Sequence, residues 1–528
     1  MPRGAEVLLE VLAAHDVEVV FGLPGVHNLA IWEALRKHPG IRMVGVRHEQ
    51  TAVYAADGYA RTTGKLGVAV VTTGPGAANT LGATGEAWAS GSPVLVIATD
   101  IPSTLRRPGV HRGVLHETRD QKAMFGPVTK AAFDVPAAQD LGACADKAVQ
   151  QAVLSPHGPV YLGVPTDFLS AEVPRHTVAK AGQTHLVPDL TEAGALIAAA
   201  ERPLIWAGGG AARSGAGAAI GALAARLQAP IITTYGARGL VDSPQVVRGP
   251  VHAPPVGRLW DDADLVIAIG TDFDGMMTQN WLQPKPRRLV AVNIDKAEAN
   301  KNYPADVTIE GDAAAVTAAL AAMVSGKEAV VDVEAVNAEV RALAEADSPE
   351  AVKLLKALED TDATIVADMC IPGYWIGGFH HVTKPRGLAY PVGWGTLGFG
   401  FPAALGAAID GRTIAVVGDG GFLFACGDLA TLRQENLPLT IVLVDDGGYG
   451  MLRYDQQVAN HAISGVDLTR PDFAKLAESF GIPAVTIDGF DGLREALSDA
   501  AGPTMIVVDA SLKPPINTSP RWYRKNAT

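Results

Sequence analysis

The sequence predicts an α/β protein built from three open, mostly parallel, doubly wound domains. Three observations carry that expectation. Short apolar runs rich in β-branched residues, such as Val68–Val71, Pro93–Thr99 and Leu439–Val444, alternate with helix-period segments along most of the chain, the pattern of parallel strands buried on both faces. Glycine-rich turns close several of these runs, at Gly22-Leu23-Pro24-Gly25, Gly74-Pro75-Gly76, Gly208-Gly209-Gly210 and Gly418-Asp419-Gly420-Gly421. Finally, 528 residues exceed what one hydrophobic core holds.

Taken in order, residues 5–15 have helical spacing, and Val17–Phe21 reads as a short strand ending in the first glycine turn, with His27 just after it. Leu29, Ile31, Trp32 and Leu35 mark a second helix. Val44–Val46 is the next strand, and Arg47-His48-Glu49-Gln50 opens a helix that runs to Gly64. Strand Val68–Val71 leads into the Thr72–Gly76 loop, Asn79 enters another helix, and Pro93–Thr99 is a further strand. A first domain is expected over residues 1–172. A stretch rich in Pro, His and Thr (174–188) separates it from a middle domain over residues 185–325. There Gly208-Gly209-Gly210 lacks dinucleotide-fingerprint spacing and a well-placed acidic partner, so it reads as a turn. The Ala- and Glu-rich helical stretch over 313–358 reads as a connector, and His380-His381 as surface or loop. The third domain is expected over residues 340–528. Two open α/β domains flanking a middle one suggest duplication.

Composition narrows the function. A formal charge of −13 argues against nucleic acid as a partner and gives no sign of membrane-surface binding. Three cysteines, far apart and without CxxC spacing, read as reduced thiols of a cytoplasmic protein. The N-terminal stretch carries acidic residues among its apolar ones, unlike a signal peptide, and no apolar run reaches membrane-spanning length.

The chemistry concentrates in Ile414–Leu452. Strand Ile414–Val417 breaks at Gly418-Asp419-Gly420-Gly421, a helix follows, and strand Leu439–Val444 ends in Asp445-Asp446 and the turn Gly447-Gly448-Tyr449-Gly450. Adjacent parallel strands would bring Asp419 and Asp446 together at the carboxyl edge of the sheet, where open α/β sheets bind ligands. Two hard oxygen ligands beside glycine-exposed amides suit a magnesium ion holding a diphosphate.

These residues resemble the thiamine-diphosphate motif, GDG followed by a paired Asn-Asn, here replaced by Asp-Asp. The resemblance extends over nearly the whole chain. Gly22-Leu23-Pro24-Gly25, Arg47-His48-Glu49 and Gly74-Pro75-Gly76-Ala77-Ala78-Asn79 resemble the pyrimidine-binding domain of such enzymes, and Gly395-Thr396-Leu397-Gly398-Phe399-Gly400-Phe401-Pro402 resembles the cofactor-supporting loop of acetohydroxyacid (acetolactate) synthases. It implies Asp419, Asp446 and the Gly448 carbonyl as metal ligands. It also implies cofactor contacts from Pro24, Gly25, Glu49, Gly74, Asn79, Gly395, Thr396, Leu397, Gly418, Asp419, Gly420, Gly421, Asp446, Gly448, Tyr449, Gly450 and Met451. Leu397 would wedge between the two cofactor rings, with Met451 packed on the pyrimidine. Glu49 is the expected catalytic residue, a carboxyl held against the aminopyrimidine nitrogen. His27, His116 and Gln121 are the substrate-side candidates.

The activity so implied is decarboxylation of a 2-oxo acid such as pyruvate with carboligation to a second oxo acid. The alternative is a non-ligating 2-oxo acid decarboxylase, for a basic or aromatic substrate. Arg453-Tyr454-Asp455-Gln456 stands where the synthases carry a Trp, and Asp455 and Asp272 would add acidity near the acceptor site. A cofactor-free assembly subunit is disfavoured by the retained Glu49 and Asp419. Flavin-contacting segments are not matched, so FAD is not expected. The family resemblance also implies a homodimer or homotetramer with active sites at the subunit interface.

Overall fold

The computed structural model describes residues 1–107, 109–179, 186–359, 361–500 and 502–515. Residues 180–185, within the Pro-, His- and Thr-rich stretch, and 516–528, at the end of the expected third domain, lie outside these.

Three sheets form, and every strand pair within them is parallel. The first holds β1 (Val19–Gly22), β2 (Arg42–Gly45), β3 (Gly67–Val71), β4 (Val94–Asp100), β5 (Ala131–Asp134) and β6 (Val160–Pro165), in the order β2-β1-β3-β4-β6-β5. The middle sheet holds β7 (Pro203–Ala207), β8 (Ile231–Thr233), β9 (Leu265–Ile269), β10 (Leu289–Asn293) and β11 (Val307–Glu310), in the order β11-β10-β9-β7-β8. The last holds β12 (Thr364–Ala367), β13 (Leu388–Ala389), β14 (Thr413–Gly418), β15 (Leu439–Asp445), β16 (Ala484–Asp488) and β17 (Thr504–Asp509), ordered β13-β12-β14-β15-β17-β16. The first and last sheets thus share one strand order, the topological form of the duplication their sequences suggest. Central strands are buried along their length, β3 and β4 completely, which is why they read as unbroken apolar runs.

The 313–358 stretch is not one connector. Its first part, Ala313–Met323, is a helix of the middle domain, with Val316 and Leu320 packed into that core beside Leu223. Two further helices, Val333–Asp347 and Pro349–Ala357, meet at Ser348, whose hydroxyl caps the second and whose following Pro349 ends continuity with the first. His380 is not at the surface either. It is buried, and desolvation lowers its pKa to about 4.

The first and last domains touch through equivalent helices. Glu49–Thr63 follows β2, and Gly400–Ala407 follows β13. A Cβ at Gly58 would lie 2.0 Å from the Ala403 carbonyl oxygen, and one at Gly406 would lie 1.8 Å from that of Ala55. Only glycine permits so close a crossing. One apolar cluster runs through the contact, from Val44 and Tyr54 to Leu405, Val417 and Leu432. Buried Asp428 bolts it down, accepting from Arg47 N (2.7 Å), Thr51 Oγ1 (2.6 Å) and Thr431 Oγ1 (2.8 Å).

Candidate active site

β14 and β15 are hydrogen-bonded neighbours with Gly418 opposite Val444, so Asp419 and Asp446 leave the same edge of the sheet. Asp419 is 2% exposed, and its Oδ1 accepts from Gly420 N at 2.8 Å. Asp446 folds back over the next helix, where a Cβ at Gly450 would lie 2.0 Å from Asp446 Oδ2. Its other oxygen, Oδ1, is buried without a hydrogen-bond partner. The Gly448 carbonyl closes the group, lying 3.3 Å from where a Gly420 Cβ would stand. Asp445 pairs with Arg470 at 2.8 Å, and its carboxylate also bears on Asp419 and Asp446, raising both. Burial, then the neighbouring Asp446 carboxylate, push Asp419 up to about 7, and burial raises Asp446 as well. A cation between the two carboxylates would offset the cost of ionising them together. Among the described residues no three His, Cys, Asp or Glu side chains form a metal-binding group. A metal here would therefore take the two carboxylates and a backbone oxygen such as Gly448 O. The donor set fits a hard divalent ion.

Glu49 begins its helix just after His48, whose ring accepts from Gln50 N at 3.2 Å. It is 8% exposed. Asn79 Nδ2 donates to Glu49 Oε2 at 3.0 Å, while Oε1 faces the Thr72–Gly76 turn, 3.3 Å from where a Gly76 Cβ would stand. Gly25 meets the same turn, because a Cβ there would come within 2.6 Å of Thr72 Cβ. Exposed Pro24 precedes it on the rim. The turn is shaped by Gly74, at φ 63°, whose N–H donates to Gln121 Oε1 at 2.7 Å. Gln121 Nε2 bonds Thr99 O (2.9 Å) and Tyr161 OH (2.8 Å), and the residue is 3% exposed. That gives Gln121 a supporting place behind the turn instead of the substrate-facing place its sequence position suggests.

His27 and His116 do come together, Nδ1 to Nδ1 at 3.4 Å with their rings edge to face. A hydrogen bond between them needs one Nδ1 protonated and the other bare. Burial, reinforced by His116 and opposed by the Asp100 carboxylate, lowers the pKa of His27.

On the opposite domain, the Gly393–Phe399 loop holds Gly395 (φ 72°) and Gly398 (φ 80°). Leu397 is 37% exposed, and Met451, on the Gly450–Val458 helix, packs at the edge of the domain core. Sequence reasoning missed Asp368, 1% exposed at the end of β12, which accepts from Met369 N (2.8 Å), Gly398 N (3.1 Å) and Phe399 N (3.1 Å). Desolvation raises it to about 6. An unfolded carboxylate releases its proton near pH 4, about 3.9 for Asp. Folding therefore takes up a proton between about pH 4 and 6, and the stability due to this group falls as pH rises through that window and then levels. Denaturant titrations of wild type and Asp368→Asn across pH 4–7 check this. The decline should be shallower in the variant.

The Gly208–Gly210 turn is explained by close packing, since Cβ atoms at Gly208 and Gly210 would lie 2.4 and 2.9 Å from Gly270 O. It opens onto a cavity of about 1020 Å³ between the domains, lined by Arg213, Asp272 and Arg386 among others. Asp272 pairs with Lys301 at 2.7 Å on that wall, so its acidity belongs to this cavity.

Three family profiles match the chain in order. They are described as thiamine pyrophosphate enzyme N-terminal TPP binding domain (residues 2–124), central domain (190–320) and C-terminal TPP binding domain (370–510). A probable 2-ketoarginine decarboxylase of Pseudomonas aeruginosa is 34% identical over 519 residues, covering 94% of this chain and 91% of that protein. A probable acetolactate synthase large subunit of Methanocaldococcus jannaschii is 31% identical, covering 94% and 90%. The acetolactate synthase large subunit of Lactococcus lactis is 28% identical over the same shares. With all three domains matched and the GDG turn set beside its second acidic loop, the chain belongs to the thiamine pyrophosphate enzyme family.

Proposed function

We propose that this enzyme uses thiamine diphosphate and magnesium to decarboxylate a 2-oxo acid such as pyruvate and joins the resulting carbon unit to a second oxo acid, in the manner of an acetolactate synthase. The observation that carries the reading is Asp446 Oδ1, a buried carboxylate oxygen without a protein partner beside a second buried carboxylate. Asp419, Asp446 and the Gly448 carbonyl would hold the magnesium, and the Gly418–Gly421 turn, whose Gly420 amide is already held by Asp419 Oδ1, would face the diphosphate. The Gly395 carbonyl, Leu397 and Met451 would hold the pyrimidine side. Bound thiamine diphosphate supplies the electron sink that decarboxylation requires.

The chain's own residues handle protons and water. Asn79 occupies Glu49 Oε2, which leaves Oε1 to carry or release a proton. The His27–His116 pair, its Nδ1 atoms facing each other, can give or take one at Nε2 on the substrate side. Apolar Val26 and Leu115, next to the histidines in sequence, and Leu397 and Phe424 of the C-terminal domain are exposed, and covering them in an assembled site would dry it.

A second reading, a non-ligating decarboxylase for a basic oxo acid, is favoured by the relative named for 2-ketoarginine. It also has the Arg453–Gln456 segment, whose Asp455 acts electrostatically on Tyr374. One experiment separates the readings. The loaded protein is incubated with a panel of 2-oxo acids, and carbon dioxide and organic products are identified together. A hydroxy-oxo acid from pyruvate supports ligation, an aldehyde from a basic oxo acid supports the second reading, and no carbon dioxide from any substrate overturns both.

Those exposed apolar side chains also favour a homodimer or homotetramer with Glu49 of one subunit serving Asp419 of another. Mixing inactive Glu49→Gln and Asp419→Ala proteins under subunit exchange should then restore activity, up to about a quarter of wild type if exchange in a dimer is random. No recovery despite proven exchange would count against shared sites. A reducing cytoplasm fits the three unpaired cysteines. Among the described residues no helix is long and apolar enough to cross a membrane.

A further inference from the structure

The Gly393–Phe399 loop has little stiffness of its own, with left-handed backbone at Gly393 (φ 93°), Gly395 and Gly398. It is held from two sides by buried carboxylates of different domains. From beneath, Asp368 grips the Gly398 and Phe399 amides. From across the domain boundary, the Leu81–Ala89 helix of the N-terminal domain seats the other half. Gly85 leaves room for the Trp394 ring, since a Cβ there would come within 2.7 Å of it, and Trp88 meets Trp394 edge to face. Between them Glu86, completely buried, accepts from Thr396 Oγ1 at 3.1 Å.

Glu86 does not stand alone. Arg61 Nη2 donates to it at 3.1 Å and also to Asp57 Oδ2 at 2.5 Å, while Arg61 Nη1 reaches the Tyr390 carbonyl at 3.0 Å. The guanidinium lies over the Phe399 ring, 4.7 Å from its centroid. Two carboxylates share one guanidinium, so the cluster carries a buried negative excess that must be met by hydrogen-bond donors. Ser90 Oγ supplies one at 3.2 Å, and Thr396 supplies two, one from Oγ1 at 3.1 Å and a longer one from N at 3.5 Å. Satisfying that charge therefore depends on where the loop places Thr396, and a charge-assisted bond is roughly twice as strong as a neutral one. Leu397 lies between the two anchors, its backbone neighbours pinned and its side chain partly exposed.

We propose that Glu86 is a positioning residue, which through Thr396 Oγ1 fixes the Gly395–Leu397 step of the C-terminal domain from the N-terminal domain. The catalytic half of this inference rests on the reading that Gly395 and Leu397 face the cofactor.

Thr396→Val tests it, because it removes the donor while keeping the shape and leaves Glu86 paired with Arg61. Thr396→Ser restores the donor. Two measurements are made on each full-length protein. The first is amide hydrogen exchange of residues 393–399 without cofactor. The second is binding of thiamine diphosphate with magnesium, together with deuterium exchange at the thiazolium carbon of the bound cofactor. In Thr396→Val, loop amides should exchange about tenfold faster, and the thiazolium position of the cofactor that is bound about tenfold more slowly. Thr396→Ser should return both toward wild type. Wild-type loop exchange in Thr396→Val, or a Ser variant that behaves like Val, would overturn the proposal. If the wild-type protein fails to bind thiamine diphosphate, the cofactor reading falls, and the loop amides alone decide whether Glu86 clamps the loop.

Discussion

The Glu49→Gln protein should bind thiamine diphosphate and magnesium as wild type does, yet activate the cofactor 10²–10⁴-fold more slowly, the span of about two to four decades that positioned acid–base groups supply. The substitution preserves volume, and an amide oxygen can still accept from Asn79 Nδ2 as Glu49 Oε2 does at 3.0 Å. What is lost is the ionisable proton at the other oxygen, beside the Thr72–Gly76 turn. On the proposed reading the diphosphate and metal contacts come from another domain, so binding should persist. The measurement is deuterium exchange at the thiazolium carbon on the protein. The deficit should appear with every 2-oxo acid, since activation precedes substrate choice. His27→Ala and His116→Ala should leave that exchange nearly intact and change turnover by amounts that depend on the substrate. A Glu49→Gln protein that exchanges at the wild-type rate would make Glu49 a helix-start residue only, and the mechanism would fail at its first step.

The second large effect falls on Asp446, and the two substitutions there part company. Asp446→Ala leaves no side-chain oxygen at the metal position, and magnesium-dependent cofactor binding should weaken by at least about 100-fold, the upper range seen when only a supporting residue of a metal site is removed. Asp446→Asn keeps one oxygen and removes a buried charge that raises Asp419. It should retain binding, and in the metal-free protein it should be more stable near neutral pH, where wild type must ionise two neighbouring buried acids. Cofactor titrations at varied magnesium check the first expectation and metal-free denaturation the second. If Asp446→Ala binds as wild type does, the metal assignment is wrong.

Much of this site is legible in the sequence because its parts are local. Gly418–Gly421 and Asp445–Gly450 each follow an unbroken apolar strand, and neighbouring parallel strands bring their ends together without further information. The residues that escape notice act at a distance, Glu86 and Asp428 across domains and Asp368 within its own. Asp368, Glu86 and Asp428 are single acids in unremarkable surroundings, and the donors that mark them as special come from segments far away in sequence. Gln121 shows the converse, a residue in the expected neighbourhood whose amide is consumed by its own domain. Of the strands the sequence reading does not name, β5, β13 and β16 lie at sheet edges, where short or half-exposed segments lose the apolar run that reveals a central strand, while β12 and β17 lie inside their sheet. The supposed connector hid a middle-domain helix because Ala-rich helices look alike whether or not they pack on a sheet.

The close crossing of the Glu49–Thr63 and Gly400–Ala407 helices also sets a schedule for biosynthesis. Eleven of the fifteen residues of the first helix are buried, in part by a segment the ribosome has yet to make. At about 5–20 residues per second, the roughly 340 residues between Thr63 and Gly400 take about 20–70 s to synthesise. For that interval the nascent N-terminal domain presents an apolar helical face with nothing to cover it. Substitutions on that face should therefore register first as aggregation during synthesis, and only in the surviving molecules as altered catalysis.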